Sequence, residues 1–455
     1  MDLLKRKKVV MTPVQILSLG FALTILTGAV ILTLPISSVN GTATNFIDSL
    51  FTATSAVCVT GLTTLDTASH WSYFGKTIIM FLIETGGLGF MSFTTLYALI
   101  IGRRISMRER MIMKEALNAE SMAGIVRLVK YVIIFTVSVQ IIGALLLMTQ
   151  FIPDYGVGEG IYFGIFHSVS AFCNAGFDLT GASLIPYNNN PVVILTISAL
   201  IIIGGLGFAI WMEIYNFKTM KKLSLHAKFA IAVTLILLIL GMIMMYIFDF
   251  AINQAYKDMS LPTKILNAFF ASVTPRTAGF FSVPTVTMSH AAIAITIILM
   301  FIGGSPGSTA GGLKTTTIGL LVMTVISMLR GREDTEIFKK RINKMQVYKA
   351  FTILFIAFGV IFIGTLLLSI AEGEKVVGGI TMNLEHYLYE IVSAYGTVGL
   401  TLNLTPTLTA PGKIIVMFAM YIGRVGILTF IFSMLRRNKK DDYGLKYPED
   451  KIVIG

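Results

Sequence analysis

Four fourteen-residue segments of this chain align on one another without a gap: SLFTATSAVCVTGL (49–62), GIFHSVSAFCNAGF (164–177), NAFFASVTPRTAGF (267–280) and YLYEIVSAYGTVGL (387–400). An aromatic residue recurs at the third place (Phe51, Phe166, Phe269, Tyr389) and glycine at the thirteenth (Gly61, Gly176, Gly279, Gly399). A large apolar residue follows each glycine. Repeats constrain architecture strongly, because each copy must find equivalent surroundings. Each segment lies between two apolar runs. The runs fall near 14–35, 73–101, 125–151, 191–217, 229–250, 288–329 (interrupted), 347–371 and 411–435, and a hydrocarbon layer of about 30 Å needs about 20 helical residues to cross. The expected fold is an all-α polytopic membrane protein. It has four parallel span–pore-loop–span repeats, eight membrane spans in all, around a pseudo-fourfold central pore. Two spans per unit return the chain to one side, so the units point the same way; inverted-repeat transporters need an odd number. The units divide as 1–120 (N-terminus and repeat 1), 121–225 (repeat 2), 226–345 (repeat 3), 346–435 (repeat 4) and a tail at 436–455.

Composition agrees. Only 13% of the 455 residues are charged and the mean hydropathy is +0.79, whereas soluble domains carry about a quarter charged residues. The net charge of +12 does not point to nucleic acid. Of the 36 Lys and Arg, 28 gather in alternate connections: Lys5–Lys8, Arg103–Lys130, Lys218–Lys228, Arg330–Lys349 and Arg436–Lys451. Cytoplasmic loops collect such residues, so both termini are expected to be cytoplasmic. Cys58 and Cys173 are too few for a disulfide framework or a zinc site.

The four segments have about ten helical residues before the glycine stretch, too few to span. They are expected to be re-entrant, a half-helix followed by an extended return. Exposed backbone at that depth is tolerated where it lines an aqueous path. A dehydrated cation needs oxygen ligands, and backbone carbonyls supply them when several strands aim at one axis. Aligned carbonyls require positive φ, which glycine adopts without steric cost. The four TVGYG loops of potassium channels work in this way. The filter strands here are expected at Val59-Thr60-Gly61-Leu62, Asn174-Ala175-Gly176-Phe177, Thr277-Ala278-Gly279-Phe280 and Thr397-Val398-Gly399-Leu400. Each half-helix would also direct its partly negative C-terminal end at the ion.

A second glycine set follows: GGLGF (86–90), GGLGF (204–208), GGSPGS (303–308) and GRVGIL (423–428). In the first two copies such glycines are read either as packing devices between close helices or as marking a point just below the filter on the pore axis. The third copy is different. GGSPGSTAGGLK interrupts the apolar run, and it is not a phosphate loop, because Leu313 separates Gly312 from Lys314. Pro306 and the surrounding small residues disfavour helix. The stretch Gly303, Gly304, Ser305, Pro306, Gly307, Ser308, Thr309, Ala310, Gly311, Gly312 and Lys314 is expected to form a loop that obstructs the path and acts as a gate. Arg424 holds the matching position in the fourth unit. A mid-membrane arginine needs a cavity or polar partner. The loop carbonyls are the expected one, and its charge would oppose cation passage.

These features together resemble the Trk/Ktr/HKT superfamily, most closely the membrane subunit of bacterial Ktr potassium-uptake systems. The likeness covers nearly the whole chain and rests on residues 59–62, 174–177, 277–280, 397–400, 303–314 and Arg424. It implies K+ translocation, Na+ stimulation, a homodimer with one pore per subunit, a bacterial cell membrane, and control by a cytosolic nucleotide-binding ring of the KtrA/KtrC kind. Relatives with serine at the first filter place favour sodium; all four places here are glycine. This chain shows no nucleotide fingerprint, so a nucleotide site belongs to the partner. The basic loops and tail are candidate docking surfaces, or set orientation and contact lipid.

Rival readings are a sodium-coupled secondary transporter of another solute, which the parallel units disfavour, and a membrane enzyme, for which no catalytic constellation is found. Of the remaining polar residues, Glu390 and Arg276 are expected to brace the filter, the arginine through acids or carbonyls. His167 is expected to be hydrogen-bonded structure. Asp178 is placed at the outer mouth, and Asp249 and Asp258 are expected to be solvated. Glu84 and Glu213 have no evident partners.

Overall fold

A computed structural model of the chain describes residues 11–89, 105–116, 124–217 and 221–434. The basic groups at Lys5–Lys8 and in the tail lie outside the described residues. Helices dominate the described residues, whose two-stranded pairings are two short hairpins at 336–341 and 376–381.

Each unit begins with a long apolar helix: α1 (Pro13–Thr33), α5 (Ile125–Tyr155), α9 (Leu225–Met245, continued by a π turn over Tyr246–Phe250) and α13 (Lys344–Glu372). These four are long and apolar enough to cross a membrane. Their starts follow from local chemistry. Thr12 and Gln15 form a reciprocal capping box with Pro13 in the first turn, and the Ser224 hydroxyl accepts from the Ala227 N–H at 3.1 Å. Their outward faces carry exposed Leu23, Leu145, Ile236 and Phe362, while Thr136, Gln140, Thr234 and Thr365 turn inward and are buried. Apolar outside with polar inside suits a lipid solvent.

The four segments form short helices, longer than expected from sequence: α2 (Phe46–Cys58), α6 (Val157–Phe172), α10 (Leu261–Val273) and α14 (Leu384–Gly396). An extended strand follows each.

The second runs correct an expectation. Sequence led us to expect only the third to be broken, yet none of the four is one straight described helix. α3 (Tyr73–Leu88) ends at Gly89, φ 82°. α7 (Pro191–Leu206) and α8 (Phe208–Tyr215) meet at Gly207, φ 106°, with a bend of 96°. α11 (His290–Phe301) and α12 (Thr315–Leu329) flank the interrupted stretch. α15 (Ala410–Val425) and α16 (Ile427–Met434) are separated by Gly426, φ 88°. The last glycine of each GGLG or GRVG takes a conformation closed to helix, so the pattern marks a break as well as a packing face. One further helix, α4 (Met107–Ala116), packs against α1 and α5.

The units pack in a cycle. The second-run helix of each unit lies on the short helix of the next: α3 on α6, α7 on α10, α11 on α14, and α15 back on α2. Polar contacts tie all four seams, with Asn267 Nδ2 donating to Asn188 O at 2.8 Å where unit 3 meets unit 2. Tyr73 donates to Glu159 at 3.0 Å, His290 faces Glu385 at 3.0 Å, and Lys413 pairs with Asp48 at 2.5 Å.

Candidate functional site

The cycle brings the four glycines together. A methyl group on Gly61 would lie 2.5 Å from the Ala175 carbonyl oxygen; one on Gly176 would lie 2.8 Å from that of Ala278; one on Gly279 would lie 2.5 Å from that of Val398; and one on Gly399 would collide with that of Thr60. Each glycine thus faces the carbonyl that precedes the next glycine, and the fourth faces the first. No side chain larger than hydrogen fits at any of the four places.

The backbone there has a second feature that the sequence hid. Positive φ occurs at each glycine (95°, 69°, 76° and 97°) and also two residues earlier, at Val59 (57°), Asn174 (62°), Thr277 (70°) and Thr397 (51°). Left-handed residues alternating with ordinary ones turn successive carbonyls to the same side. For β-branched Val59, Thr277 and Thr397 this conformation is strained, and such strain persists where the surroundings enforce it and clusters at functional sites. The Thr60 and Thr397 hydroxyls are buried without a hydrogen-bond partner among the described residues. Unpaired buried hydroxyls are costly and call for an explanation.

Each strand is tied to its own short helix. The residue before the glycine donates its N–H to the helix end: Thr60 to Ser55 O (2.8 Å), Ala175 to Ser170 O (2.7 Å), Ala278 to Thr274 O (3.0 Å) and Val398 to Ser393 O (2.8 Å). Side chains at the fourth place of two segments brace the strand from behind. Glu390, fully buried, accepts from the hydroxyls of Thr401 (2.7 Å) and Thr405. His167 contacts the Phe163 carbonyl (2.8 Å) and accepts from the Leu179 N–H (3.3 Å).

On the helix side of the glycines sits the interrupted stretch. Its neck is closed by Gly303 N–H to Leu313 O (2.8 Å) and Thr315 N–H to Gly304 O (3.0 Å). The rest bonds to other units. Ser305 and Thr309 donate N–H groups to Gly205 O (2.9 Å) and Gly204 O (3.2 Å), Gly307 O accepts from Phe208 N–H (2.9 Å), and Gly312 N–H reaches Gly423 O (3.3 Å). A methyl group on Gly312 would lie 3.1 Å from the Gly396 carbonyl oxygen, so the loop lies against the start of the fourth strand. Arg424 donates to Thr309 O and to Gly86 O, and to Gly87 O at 3.1 Å. It therefore links units 1, 3 and 4. Lys314 folds back on the Ala310 carbonyl at 2.7 Å. Beyond the loop opens a cavity of about 250 Å³ whose lining includes Arg424, Lys314, Gly307, Gly426 and, from α4, Glu115.

The first glycines of the second set do pack closely. A methyl group on Gly86, Gly204 or Gly423 would collide with the carbonyl of Val57, Phe172 or Tyr395, the ninth residue of the segment in its own unit.

Several single residues differ from expectation. Asp249 is fully buried and accepts from Asn253 Nδ2 and Ser289 N–H, both at 3.0 Å; the π turn swings it inward from the helix end. Arg276 is buried and reaches the Thr234 hydroxyl at 3.4 Å, a partner that is neither an acid nor a carbonyl. Glu84 has partners, Gln140 Nε2 at 2.8 Å and the Cys173 thiol at 3.2 Å. Glu213 accepts from Ser224 at 2.9 Å. Asp178 uses one oxygen to hold the turn at Thr180–Ser183. Asp258 is exposed, as expected.

Residues 7–442 match the family of cation transport proteins named TrkH. The chain belongs to this family. It is a family of cation transporters, not of enzymes. Several relatives cover nearly the full length. The potassium/sodium uptake protein NtpJ of Enterococcus hirae is 47% identical over 451 residues, 99% of each chain. The Ktr system potassium uptake protein B of Bacillus subtilis is 39% identical over 444 residues, 98% of this chain and 97% of that one. The crystal structure of the potassium transporter TrkH from Vibrio parahaemolyticus superposes with a TM-score of 0.71 at 17% identity, over 95% of this chain and 86% of that one; at that identity the likeness concerns the fold. The helical architecture of the TrkH family is thus shared.

Proposed function

We propose that the chain moves potassium ions through the ring of four glycines, across a bacterial cell membrane that it crosses eight times with both termini in the cytoplasm. Residues 59–62, 174–177, 277–280 and 397–400 form the selectivity filter on re-entrant loops. Their carbonyls replace the water of a dehydrated ion, and the C-terminal ends of α2, α6, α10 and α14 add favourable potential. The closure of the glycine ring, each facing the carbonyl before the next, is the observation that carries this reading. The printed names of the relatives, potassium and potassium/sodium uptake proteins, support the cargo.

The loop 303–314 is the gate, and Arg424 is its cation barrier. A guanidinium among backbone carbonyls holds the loop across the path and repels cations from beneath. On the name Ktr system carried by the Bacillus subtilis relative, we assign regulation to a cytosolic nucleotide-binding ring. That ring docks on the basic connections at Arg103–Lys130, Lys218–Lys228 and Arg330–Lys349 of a homodimer, and Na+ serves as an activator. The repeat boundaries at 120, 225, 345 and 435 then separate four equivalent walls of one pore.

Flux through the purified protein in liposomes, potassium against sodium, tests the reading. Potassium-selective flux is expected. Absence of any cation flux, even from a variant shortened within 305–311, overturns it; equal flux of both ions removes the selectivity and leaves a cation path of the kind named for the Enterococcus relative.

A further inference from the structure

The ring is not fourfold in its hydrogen bonding. A buried hydroxyl near the end of each short helix reaches the strand behind the glycine, and it does so in two ways. In units 1 and 4 the hydroxyl is an acceptor: the Gly61 N–H donates to Ser55 Oγ at 3.0 Å, and the Gly399 N–H donates to Ser393 Oγ at 3.1 Å. In units 2 and 3 it is a donor, and its target is the carbonyl of the next residue. Ser170 Oγ donates to Phe177 O at 2.8 Å, and Thr274 Oγ1 donates to Phe280 O. Among the described residues no hydrogen bond is recorded to Leu62 O or Leu400 O, the matching carbonyls of units 1 and 4.

Three further observations fall into the same pairs. The glycine φ angles are 95° and 97° in units 1 and 4, and 69° and 76° in units 2 and 3. Leucine follows the glycine in units 1 and 4, phenylalanine in units 2 and 3. The hydroxyl's own place does not follow the pairs, being seventh in units 1, 2 and 4 and eighth in unit 3. Units 1 and 4 adjoin through α15 on α2, and units 2 and 3 adjoin through α7 on α10.

We propose that the cation site at the ring's far end from the gate loop is one-sided: the Leu62 and Leu400 carbonyls coordinate the ion, while Ser170 and Thr274 hold back the carbonyls of Phe177 and Phe280. This inference rests on the reading of the ring as a cation filter. A hydroxyl on the helix behind a strand draws that strand's carbonyl toward the helix and away from the axis. The ion keeps part of its water on the side of units 2 and 3, and takes two protein oxygens on the other. Conduction needs each site to bind well enough to admit an ion and weakly enough to release it. Ser170 and Thr274 act as positioning residues that keep this site weak.

The two pairs of hydroxyls therefore have opposite effects on ion binding. Removing Ser170 and Thr274 together (Ser170→Ala with Thr274→Val) frees two carbonyls to turn inward. The K+ concentration for half-maximal uptake is expected to fall about threefold, with a lower maximal rate, because the ion leaves more slowly. Removing the acceptors (Ser55→Ala with Ser393→Ala) leaves two glycine N–H groups unpaired and free to turn toward the ion, so half-saturation is expected to rise by about the same factor. Thr365→Val, whose hydroxyl bonds within its own helix to Ile361 O at 2.8 Å, serves as the control for loss of a buried hydroxyl and is expected to leave half-saturation unchanged.

A merely structural role would shift both pairs in the same direction, and that result overturns the proposal, as does an unchanged half-saturation in the Ser170/Thr274 variant. If that double variant does not assemble, Ser170→Cys replaces the donor with a weaker one of similar shape; a fall in half-saturation supports the proposal and no shift overturns it. Absence of potassium flux in the unmodified protein overturns the filter reading itself, whereas potassium flux with same-direction shifts overturns only the one-sided site.

Discussion

The glycine ring and the interrupted loop are both irregular backbone inside a helical body, but they are held in different ways. The backbone of each ring strand is fixed from within its own unit, by a short helix whose end accepts its N–H and whose hydroxyl meets its glycine or the residue after it, and a side-chain contact, Asn174 to Thr277 at 3.1 Å, crosses between units 2 and 3. The loop is fixed from outside its unit: its bonds run to Gly204, Gly205 and Phe208 in unit 2, to Gly423 in unit 4, and from Arg424 to Thr309 O. Movement of one unit against another leaves each strand's bonds to its own helix intact and breaks the loop bonds; within the ring it strains the Asn174–Thr277 contact (3.1 Å). On the proposed function, a filter held the first way keeps its geometry while a gate held the second way opens. The break glycines at Gly89, Gly207 and Gly426 lie beside the loop, where such movement would be taken up.

Shortening the loop within 305–311 attacks this contrast most directly. The deletion removes the inter-unit bonds and the obstruction together, and leaves the ring's own bonds in place. Partner-free potassium flux is expected to rise on the order of a hundredfold, the equivalent of roughly 2.7 kcal/mol of barrier, with selectivity retained. Liposome flux at fixed protein density checks this. Unchanged flux would mean that the loop does not close the path; a rise with lost selectivity would mean that ring and loop are one mechanical unit.

Gly399→Ser tests the other side of the contrast. At φ 97° a serine is strained, and its Cβ meets the Thr60 carbonyl. Backbone strain of this kind costs about 1–3 kcal/mol, so the potassium-to-sodium preference is expected to fall about tenfold while the closed-state flux stays low. The ratio of reversal potentials or of initial uptake rates reads it out. An unchanged preference would remove Gly399 from the filter.

How far the sequence was legible follows the same division. The glycines could be found because four copies align, and the loop because Pro306 and its small neighbours break an apolar run. The left-handed conformation of Val59, Thr277 and Thr397 could not be found, since β-branched residues ordinarily avoid it and the closed ring enforces it, and Asn174, a type that visits it readily, gave no pattern by itself. The breaks at Gly207 and Gly426 were hidden because a glycine-rich patch in an apolar helix reads equally as a packing face. Asp249 was misplaced because a position at the end of a span does not reveal a π turn. Ser55, Ser170 and Ser393 carried a usable signal, a hydroxyl at one place in three of four copies, but unit 3 shifts it by one residue to Thr274.

Arg424→Gln tests the proposed gate. The arginine serves three carbonyls in two foreign units, and glutamine cannot reach them all. It also removes the charge. Flux without a partner is expected to rise several-fold, less than on shortening the loop, because the neck bonds at Gly303 and Thr315 persist. Arg424→Lys keeps the charge and loses the fork of donors, so its position between wild type and glutamine separates the electrostatic from the tethering contribution. Equal flux in both variants would assign the whole effect to the tether.

The smallest effect is expected at the far seam. Lys413 on α15 and Asp48 on α2 pair at 2.5 Å where unit 4 meets unit 1, with both side chains 16% exposed, and Asp48 also accepts from Thr64 at 2.8 Å. Lys413→Met keeps the aliphatic stem and leaves Asp48 with Thr64 and nearby solvent, so the loss is expected to be about 1 kcal/mol and not the larger cost of a sealed unpaired charge. A drop of a few degrees in the melting midpoint of the purified protein checks it. Since the backbone of each ring strand is bonded to its own unit's helix, loosening this seam is expected to leave the potassium-to-sodium preference unchanged while the protein melts earlier. A preference that falls together with stability would show that the ring depends on the seams as the loop does, and the contrast between the two regions would not hold.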